Sequence, residues 1–373
     1  MRILLLTYEL PPVGGGGGRI AQDIAEKLAQ RGHEIVIITS HLRGLPKEEY
    51  LDGGIKVIRV PSLRREAFRA GFLTMGAYIF SGFWDGLRLI NIWRPEAIHV
   101  HFAVPTGVLA WALSRLKNIP YLLTAHLGDV PGGAPEKTGK WFRWVFPFTK
   151  PIWQDASKVV AVSEFTRQLA LKHYPVEIDV IHNGIDIKEN DPGEIKLQSP
   201  PRITFAGRLM KQKNPLEIIK TLARLKDLPW DCVLLGDGPL REDVENEIAH
   251  HNLQDRFILP GWITPEEVIE NFGKSDILFM PSLSEGLPVV GVQALAMGLA
   301  MVVSNIGGFM DLVKEGENGF LIDNRDDYEK HLRYLLTNPE KLRSYREASR
   351  THAEVFSLEE IVSEYESCLE GFL

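Results

Sequence analysis

The sequence predicts an α/β protein made of two Rossmann-like, doubly wound parallel-sheet domains. Short apolar runs alternate with amphipathic segments of helical spacing along the whole chain. The alternation stops at the polar, proline-containing stretch 186–201 and then restarts. A chain of 373 residues is also longer than one core usually accommodates. We therefore expect a first domain at 1–186, a second domain at 187–356, and a cleft between them where ligands meet the carboxyl ends of the strands.

The period of each apolar run assigns the elements of the first domain. Ile20, Ile24 and Leu28 recur at helical spacing, and Gly32 follows them as a C-terminal cap. The expected strands are Arg2–Thr7, Glu34–Thr39, Ile55–Val60, Ala97–His101, Tyr121–Thr124, Val159–Val162 and Val180–His182. The expected helices are Ile20–Arg31, Phe68–Trp93, Gly107–Lys117 and one that opens at Ser163-Glu164.

The second domain repeats the same alternation after the linker. Its expected strands are Arg202–Phe205, Asp231–Leu235, Phe257–Leu259, Ile277–Met280, Ala300–Ser304 and Gly319–Ile322. Its expected helices are Pro215–Leu225, Pro239–His250, Pro265–Phe272, Val289–Met297, Tyr328–Leu336 and Pro339–Phe356, and Leu358–Phe372 is helical as well.

Composition indicates a soluble protein of a reducing compartment. Hydrophobic residues make up 45% of the chain and charged residues 24%, as is ordinary for globular domains. Two cysteines exclude a disulfide framework, which favours a cytoplasmic location. Met1–Leu6 is read as a buried strand rather than a signal peptide. The most apolar stretch, Phe72–Trp93, is interrupted by Asp85 and Arg88, so we expect no span of roughly 20 apolar residues.

The charge of the chain is uneven. Residues 1–186 hold 22 Lys and Arg against 17 Asp and Glu, whereas the remainder holds 20 against 32. A mildly basic first half in an acidic protein suits an anionic acceptor or a membrane surface. The alternative is a simple drift of surface charge between domains. We expect no nucleic-acid partner.

The most informative segment joins the strand Ile277–Met280 to the helix Val289–Met297. Glu285 stands just before a Gly-x-Pro turn, and Gln293 lies on the helix eight residues later. Proline favours a helix start, and the free N–H groups of the first turn form an anion site. A phosphate on the backbone and hydroxyls on the side chains would suit a nucleotide-sugar. The alternative is an ordinary turn with an incidental acid.

A glycine turn with two cations follows the first strand of the second domain. Gly207 precedes Arg208, and Lys213 comes five residues after Arg208. Two fixed cations beside a helix start suit a diphosphate leaving group, because charge-assisted contacts to phosphate are strong. A solvated basic loop is the alternative. Gly238 lies in a second close turn, where a structural role is favoured over a catalytic one. Ile263 would line the bottom of a pocket for the nucleotide base, and Gly307-Gly308 would border the same pocket.

In the first domain, a run of five glycines follows the first strand. Gly14–Gly18 lets the backbone approach a ligand closely. The alternative is a flexible surface loop without a ligand, which would have the same composition. A dinucleotide fingerprint fails because the second strand ends at Thr39-Ser40-His41 without an acid, and a P-loop fails because no Lys-Ser/Thr follows. His126 and Asp129 come after another strand and would face the same cleft; a structural histidine is the alternative.

Five motifs in order give the chain a family resemblance over essentially its whole length. They are Gly15-Gly16, His126-x-x-Asp129, Gly207-Arg-Leu-x-x-x-Lys213, Gly236-Asp-Gly-Pro239 and Glu285-Gly-x-Pro288. Together they resemble glycosyltransferase family 4, which comprises retaining, nucleotide-sugar-dependent enzymes with the GT-B fold. The resemblance implies that a final helix at 357–373 packs back on the first domain.

The resemblance also implies roles for individual residues. Arg208 and Lys213 would hold the diphosphate, Glu285 the donor sugar hydroxyls, and His126 would face the transferred sugar. The remaining donor-binding positions would be Gly15, Gly16, Gly207, Gly238, Ile263, Gly286, Leu287, Pro288 and Gln293, with Asp129 on the acceptor side. Gln293 departs from the family, which has an acid for the nucleotide ribose there. An amide still bonds hydroxyls but without charge assistance.

The expected activity is therefore retaining transfer of a hexose from a UDP- or GDP-sugar to a hydroxyl acceptor, without metal or cofactor. A GT-B epimerase or phosphorylase and a catalytically impaired nucleotide-sugar binding protein are the alternatives. Two segments, Arg64–Arg69 and Trp141–Lys150, mix cations with large aromatics. They suggest peripheral contact with the inner face of a membrane, and thus a lipid-linked acceptor. Alternatively, these aromatics pack in the core or line the cleft of a soluble acceptor.

Overall fold

The computed structural model describes residues 1–67, 70–133 and 142–372, with the backbone alone at 142–144. The chain forms two compact units, Met1–Asn183 with Leu358–Leu373 and Gly184–Ser357. The boundaries expected from the sequence, 186 and 356, lie within a few residues of these ends. Each unit is a mostly parallel sheet with helices packed on it, which confirms the predicted fold class.

The sheet of the first unit has eight described strands. They are β1 (Arg2–Leu6), β2 (Glu34–Leu42), β3 (Glu48–Tyr50), β4 (Lys56–Arg64), β5 (Ala97–His101), β6 (Tyr121–Ala125), β7 (Lys158–Ala161) and β8 (Asp179–Val180). Their order is β3-β4-β2-β1-β5-β6-β7-β8, and β3 alone among them pairs antiparallel. The winding reverses between β1 and β5, so the carboxyl ends of these strands form the crevice where such sheets bind ligands.

Helices cover both faces of this sheet. They are α1 (Gly16–Gln30), α2 (Phe72–Trp93), α3 (Val108–Lys117), α4 (Phe142–Gln154), α5 (Glu164–Leu171) and the C-terminal helix (Leu358–Glu370). The buried side of α2 carries two glycines, and a Cβ on Gly82 or Gly86 would lie 2.8 Å from a methyl carbon of Leu109 or Leu113 of α3. Small residues thus let α2 and α3 pack closely.

The C-terminal helix packs against α1 within the first unit. The Arg31 guanidinium, just after α1, donates to the carboxylates of Glu359 and Glu366. His33 Nε2 lies 2.7 Å from Glu366 Oε1. On its inner side the helix buries Tyr365 beside the His99 ring, with the two ring centroids 5.0 Å apart. These contacts fix the last turns of the chain to the first unit.

The second unit has a six-stranded parallel sheet in the order β11-β10-β9-β12-β13-β14. The strands are β9 (Arg202–Ala206), β10 (Asp231–Leu235), β11 (Phe257–Gly261), β12 (Ile277–Met280), β13 (Ala300–Ser304) and β14 (Gly319–Ile322). The helices are α6 (Pro215–Ala223), α7 (Arg241–His250), α8 (Pro265–Gly273), α9 (Val289–Ala296), α10 (Phe309–Leu312), α11 (Asp327–Thr337) and α12 (Pro339–Ala353). The winding reverses between β9 and β12, which places the ligand crevice at Gly207 and Pro281.

Three details differ from the predicted elements. The edge strand β3 was not predicted, because three polar residues give no apolar alternation. The helix α4 was also missed, since Pro147 and Pro151 lie inside it and proline normally interrupts a helix. The long helix begins at Phe72 rather than Phe68, which is outside the described residues. Among the helices that the structure describes, none combines the length and hydropathy needed to cross a bilayer.

Candidate functional site

A buried ion pair stands at the carboxyl ends of β9 and β12. Lys213 Nζ donates to Glu285 Oε1 over 2.5 Å, and both side chains are largely shielded from solvent. The segment after β12 runs beside the loop after β9, where Leu283 N–H donates to Gln212 O, and this brings Glu285 to Lys213. The two residues that the sequence assigns to phosphate and to sugar therefore lie together, 72 positions apart in the chain.

Backbone hydrogen bonds join the loop that carries Lys213 to the turn after β10. Gly207 N–H donates to Leu235 O (2.9 Å), and Leu209 N–H donates to Asp237 O (2.9 Å). A Cβ at Gly236 would lie 2.2 Å from Gly207 O, and one at Gly238 would lie 2.4 Å from Leu209 O. Gly238 thus has the structural role that the sequence favours, since only glycine allows the two turns to nest.

The same loop is also tied to the segment that carries Glu285. Gln212 Nε2 donates to Ser284 O (2.8 Å), and Leu283 N–H donates to Gln212 O (2.7 Å). Asn214 Nδ2 donates to Pro281 O (3.2 Å). Lys213 and Glu285 consequently occupy fixed positions, as a preorganised electrostatic site requires.

Two glycines after β13 allow a third backbone segment to close over this site. A Cβ at Gly307 would lie 1.8 Å from Glu285 O, and one at Gly308 would lie 1.7 Å from Gly286 O. Gly308 N–H also donates to Glu285 O over 3.3 Å. The sequence predicted that these glycines border a base pocket; in the structure they support the backbone of Glu285 and Gly286.

We expect Gly308→Ala to weaken both the fold and the site, because a methyl group at this position overlaps backbone rather than a flexible side chain. Overpacking of this kind costs about 1–3 kcal/mol. Thermal unfolding and donor affinity should both decline. Gly316→Ala provides a comparison, since a Cβ there meets no atom within 4 Å although its φ is positive. Donor affinity equal to that of the unmodified chain would contradict the role given to Gly308.

The helix α9 begins directly beyond this ion pair. Pro288 precedes its first residue, Val289, and Leu287 and Pro288 are buried. The first turn of a helix has N–H groups without intrahelical acceptors, so it attracts anions. Gln293 is half-buried on α9, about one turn after the first residue of the helix. Gly286, Leu287 and Pro288 thus connect Glu285 to the start of α9, and the donor contacts assigned to them and to Gln293 stay predictions.

Two further predicted residues flank the pair without joining it. Arg208 is half-buried, and its guanidinium has no hydrogen bond or ion pair with any residue that the structure describes. Ile263 is half-buried two residues after the end of β11, whose Gly261 O accepts from Gly236 N–H (3.0 Å). Arg208 is therefore a cation available to a ligand, and Ile263 lies beyond the neighbouring strand end.

In the first unit, the glycine run is fixed at its start. Gly15 N–H donates to Glu9 Oε2 (3.0 Å), and Gly15 caps α1, whose first residue is Gly16. A Cβ at Gly15 would meet no atom within 4 Å. A Cβ at Gly17 would instead lie 2.7 Å from the Phe102 ring and 3.3 Å from His126 Cε1. Gly17 is thus a glycine that meets His126, and the donor contacts assigned to Gly15 and Gly16 stay predictions.

His126 follows β6 and stacks on the Phe102 ring, with centroids 4.4 Å apart. Phe102 adopts a φ of +73°, which side-chain-bearing residues rarely tolerate and which is typical of functional sites. Asp129 was predicted to face the acceptor. It is buried, and its carboxylate accepts from His126 N–H (2.8 Å) and Val104 N–H (3.3 Å). Asp129 therefore holds the His126 turn, and its assignment to the acceptor side stays a prediction.

A row of buried histidines, not identified from the sequence, extends from His126 into the first unit. His101 Nδ1 lies 3.4 Å from His126 Nε2, and the rings of His99 and His101 lie 4.5 Å apart. His99 Nε2 bonds to Thr124 Oγ1 (3.0 Å). The sequence signal was available, because His99 and His101 alternate on one face of the strand β5 next to the strand that ends at His126.

This histidine row makes stability depend on pH. Burial lowers the pKa of His99 to about 3 and of His126 to about 4, and it holds the pKa of His101 well below its ordinary value. The unfolded chain binds these protons near pH 6.5 and the folded chain does not, so stability is lost as pH falls from about 6.5 toward 4. Burial also raises the pKa of Asp129 to about 7, so below that pH the folded chain holds a proton that the unfolded chain lacks. This offsets the effect of one of the three histidines.

We therefore expect the free energy of unfolding to decline between pH 6 and 4.5, and we expect a shallower decline in His101→Phe. Each histidine that is protonated only in the unfolded chain adds about 1.4 kcal/mol per pH unit to the slope of unfolding free energy against pH, and His101→Phe removes one of them. Denaturant titrations across this pH range would measure the slope, which is separate from any constant loss of stability in the variant. Equal slopes in the two proteins would contradict the burial argument.

One cluster of potential metal ligands is present among the described residues. Atoms of His33, Glu366 and Glu370 lie within 4.8 Å of one another. Glu366 is already engaged by Arg31 and by His33, and none of the predicted site residues belongs to the cluster.

The two segments that suggested membrane contact are partly buried and partly exposed, and the contact itself stays a prediction. Arg64 is buried, and its guanidinium donates to Ala67 O and lies over the Tyr8 ring. Phe146 of α4 packs against the core, whereas Phe148 and Lys150 are exposed. Arg69 and Trp141 lie outside the described residues. Among the described side chains of these segments, Arg64 and Phe146 pack inward, whereas Phe148 and Lys150 face solvent.

Two family models match consecutive parts of the chain. The model described as Glycosyltransferase Family 4 matches residues 14–189, and the model described as Glycosyl transferases group 1 matches residues 186–352. All the site residues described above lie within these ranges, apart from Glu9 in the turn that fixes the glycine run.

Relatives match the chain over most of their length, and solved structures of similar proteins share its fold. The chain is 27% identical to UDP-Gal:alpha-D-GlcNAc-diphosphoundecaprenol alpha-1,3-galactosyltransferase of Escherichia coli, over 87% of the chain and 85% of that protein. Sucrose-phosphate synthase from Thermosynechococcus elongatus superposes with a TM-score of 0.84 at 18% identity, covering 98% of this chain and 97% of that one. The Anabaena protein HepE, solved with UDP-glucose, superposes with a TM-score of 0.77 at 17% identity over the full length of both chains.

Proposed function

We propose that this chain, which belongs to glycosyltransferase family 4 and has the GT-B fold, transfers a hexose from a UDP-sugar to a hydroxyl of a lipid-linked glycan. That it is a glycosyltransferase follows from the family models and from its relatives. The donor, the acceptor and retention of configuration are our proposal. The observation that carries it is the Lys213–Glu285 pair between the ends of β9 and β12.

The pair suits a donor that carries charge and hydroxyls side by side. A sugar diphosphate needs cations at its phosphates and an acceptor for its hydroxyl protons. Lys213 and Arg208 supply the cations, and Glu285 supplies the hydrogen-bond acceptor. Before the donor binds, Glu285 neutralises Lys213, so neither buried charge is left unpaired. We propose that the phosphate then takes over as the partner of Lys213 and that the sugar hydroxyls bond to Glu285.

In the proposed reaction, the bond between the anomeric carbon and the diphosphate oxygen breaks as the acceptor hydroxyl oxygen bonds to the same face of the sugar. The bonding electrons leave with UDP, and the hydroxyl proton passes to the leaving phosphate oxygen. Arg208, Lys213 and the first turn of α9 stabilise the negative charge that grows there. We assign the transferred sugar a contact with His126. No step uses a metal ion or a cofactor.

The neutral residue at position 293 weakens one donor contact without changing the chemistry. Gln293 lies on α9 rather than in the pair that binds the leaving group. Its amide bonds the ribose hydroxyls without charge assistance, so we expect weaker donor binding than an acid would give. Gln293→Glu should therefore lower the KM for the donor while leaving kcat nearly unchanged.

The proposal of a uridine donor and a lipid-linked acceptor is supported by the names of similar proteins. The Escherichia coli relative uses UDP-Gal and acts on a diphosphoundecaprenol-linked sugar. HepE is solved with UDP-glucose. Location at the inner face of the membrane, in the cytoplasm, is part of the same proposal, because a lipid-linked acceptor must be reached from the side where nucleotide-sugars are made.

A donor screen tests the proposed function directly. The protein is incubated with UDP-glucose, UDP-galactose, UDP-N-acetylglucosamine and GDP-mannose, and both thermal stability and release of free nucleotide are measured. We expect a UDP-sugar to raise the melting temperature and an undecaprenyl-diphosphate-linked sugar to stimulate UDP release. Stabilisation by GDP-mannose alone would overturn the choice of base. Binding without release by any acceptor would favour a binding protein, and pyridoxal phosphate absorbance would favour a phosphorylase.

A further inference from the structure

The outer face of α2 exposes a line of large apolar side chains. Leu73, Phe80 and Trp84 recur at helical spacing and are 83%, 70% and 57% exposed. Positions i, i+7 and i+11 lie on one side of a helix, so these side chains form a continuous stripe. Arg88 follows on the same side, one turn beyond Trp84.

The stripe is not required to hold the unit together. The opposite side of α2 is buried through Tyr78, Gly82, Gly86 and Ile90, which recur every four residues. That side packs on α3 and on the sheet, where Gly82 and Gly86 meet leucine methyl groups. A surface helix normally carries polar residues on its outer side, so a stripe of Leu, Phe and Trp there points to a partner.

Two groups of helices in the first unit differ in charge. The helices α2, α3 and α4 contain five basic residues, Arg88, Arg115, Lys117, Arg143 and Lys150, and one acid, Asp85. They share one side of the sheet, because α3 contacts both α2 and α4. The helix α1 and the C-terminal helix contain two basic and seven acidic residues. Right-handed crossovers place α1 on the other side from α2, so the positive layer is the one with the apolar stripe.

Exposed apolar residues continue onto the neighbouring helices of this layer. Leu116 of α3 is exposed between Arg115 and Lys117, and Phe148 of α4 is exposed two residues before Lys150. Asp155, the nearest acid after α4, accepts a hydrogen bond from Trp111 Nε1 and pairs with Arg115, so its charge is balanced within the layer. Tryptophan, phenylalanine and leucine interleaved with Lys and Arg are the composition of helices that lie in a membrane interface.

We infer that the α2–α4 layer, with Leu73, Phe80 and Trp84 at its centre, docks on the surface of an anionic lipid bilayer. The aromatic and aliphatic side chains would enter the interface, and the exposed Arg88 and Lys150 would contact lipid phosphates. A second copy of the chain is a poorer occupant, because a two-fold dimer places the same patch against itself and would oppose two positive layers. This inference rests on the proposed function in placing the chain at a membrane, but its test needs neither donor nor acceptor, so it can fail while the proposed transfer stands.

Vesicle sedimentation tests the inference with the full chain. We expect binding to vesicles of phosphatidylcholine with phosphatidylglycerol, weaker binding to phosphatidylcholine alone, and a decline with added salt. Phe80→Glu with Trp84→Glu should reduce the partition coefficient about tenfold or more. Ile258→Glu is the matched control, because Ile258 is 49% exposed but lies on β11 of the second unit. It should bind like the unmodified chain.

A fluorescence measurement identifies the face that binds. Lipids brominated on their acyl chains should quench part of the tryptophan emission, and Trp84→Phe should remove that part while the protein still binds. Equal vesicle binding by the unmodified chain and the double glutamate variant would overturn the inference. So would a dimer in solution that the glutamate variant converts to a monomer, because the stripe would then be covered by a second copy.

Discussion

Lys213→Ala is expected to lower kcat by about 10²-fold or more, because it removes the cation that stabilises the departing diphosphate. Lys213 Nζ lies 2.5 Å from Glu285 Oε1, in a loop held by the nested glycine turns. Its charge is therefore already in place when the reaction begins. Initial rates of UDP release at saturating donor would measure the loss, and donor affinity by calorimetry would separate binding from catalysis.

Two controls distinguish the catalytic role of Lys213 from a structural one. Lys211→Ala removes a cation from the same short turn, but Lys211 is exposed, so turnover should be nearly unchanged. Lys213→Ala also leaves Glu285 buried without its partner, which itself destabilises the fold. Combining it with Glu285→Gln removes that charge and should restore thermal stability without restoring turnover. Equal turnover in Lys213→Ala and the unmodified chain would remove Lys213 from the mechanism.

The sequence predicted most of the fold because each buried strand is a short apolar run followed by a helix of clear period. Most of the expected strands overlap strands of the two sheets, and the restart after the linker corresponds to the second unit. It could not predict β3, whose residues are polar, or α4, which contains two prolines. In both cases tertiary packing overrides local preference.

The site was predicted by motif order rather than by geometry. The sequence identified Lys213 and Glu285 as site residues, but only the structure shows that they bond to each other. The sequence did not indicate that Gly17 lies against His126 and Phe102. Side-chain direction at a strand end depends on the turn that follows, as Asp129 illustrates by bonding back to the His126 N–H. Such local turn geometry is not readable from residue type.

Arg346→Met is expected to be the most destabilising single change described here, by about 3–5 kcal/mol. Arg346 and Asp276 are almost fully buried, and Arg346 Nη1 lies 2.6 Å from Asp276 Oδ1. The guanidinium also donates to Gly298 O and Lys196 O, both at 2.7 Å. Asp276 accepts in addition from Arg202 N–H at 2.8 Å. One side chain of α12 thus joins the amino ends of β9 and β12.

Removal of Arg346 leaves a buried carboxylate without a cation, so the melting temperature of the second unit should fall by about 10 °C. Arg350→Met is the matched control, because Arg350 lies one turn further along α12 and pairs with Asp191 at the surface. Adding Asp276→Asn to Arg346→Met should recover part of the loss. The pair is at the amino ends of the strands and the candidate site is at their carboxyl ends. Turnover at low temperature should therefore survive in Arg346→Met, and its loss in a folded variant would show that the pair positions the site.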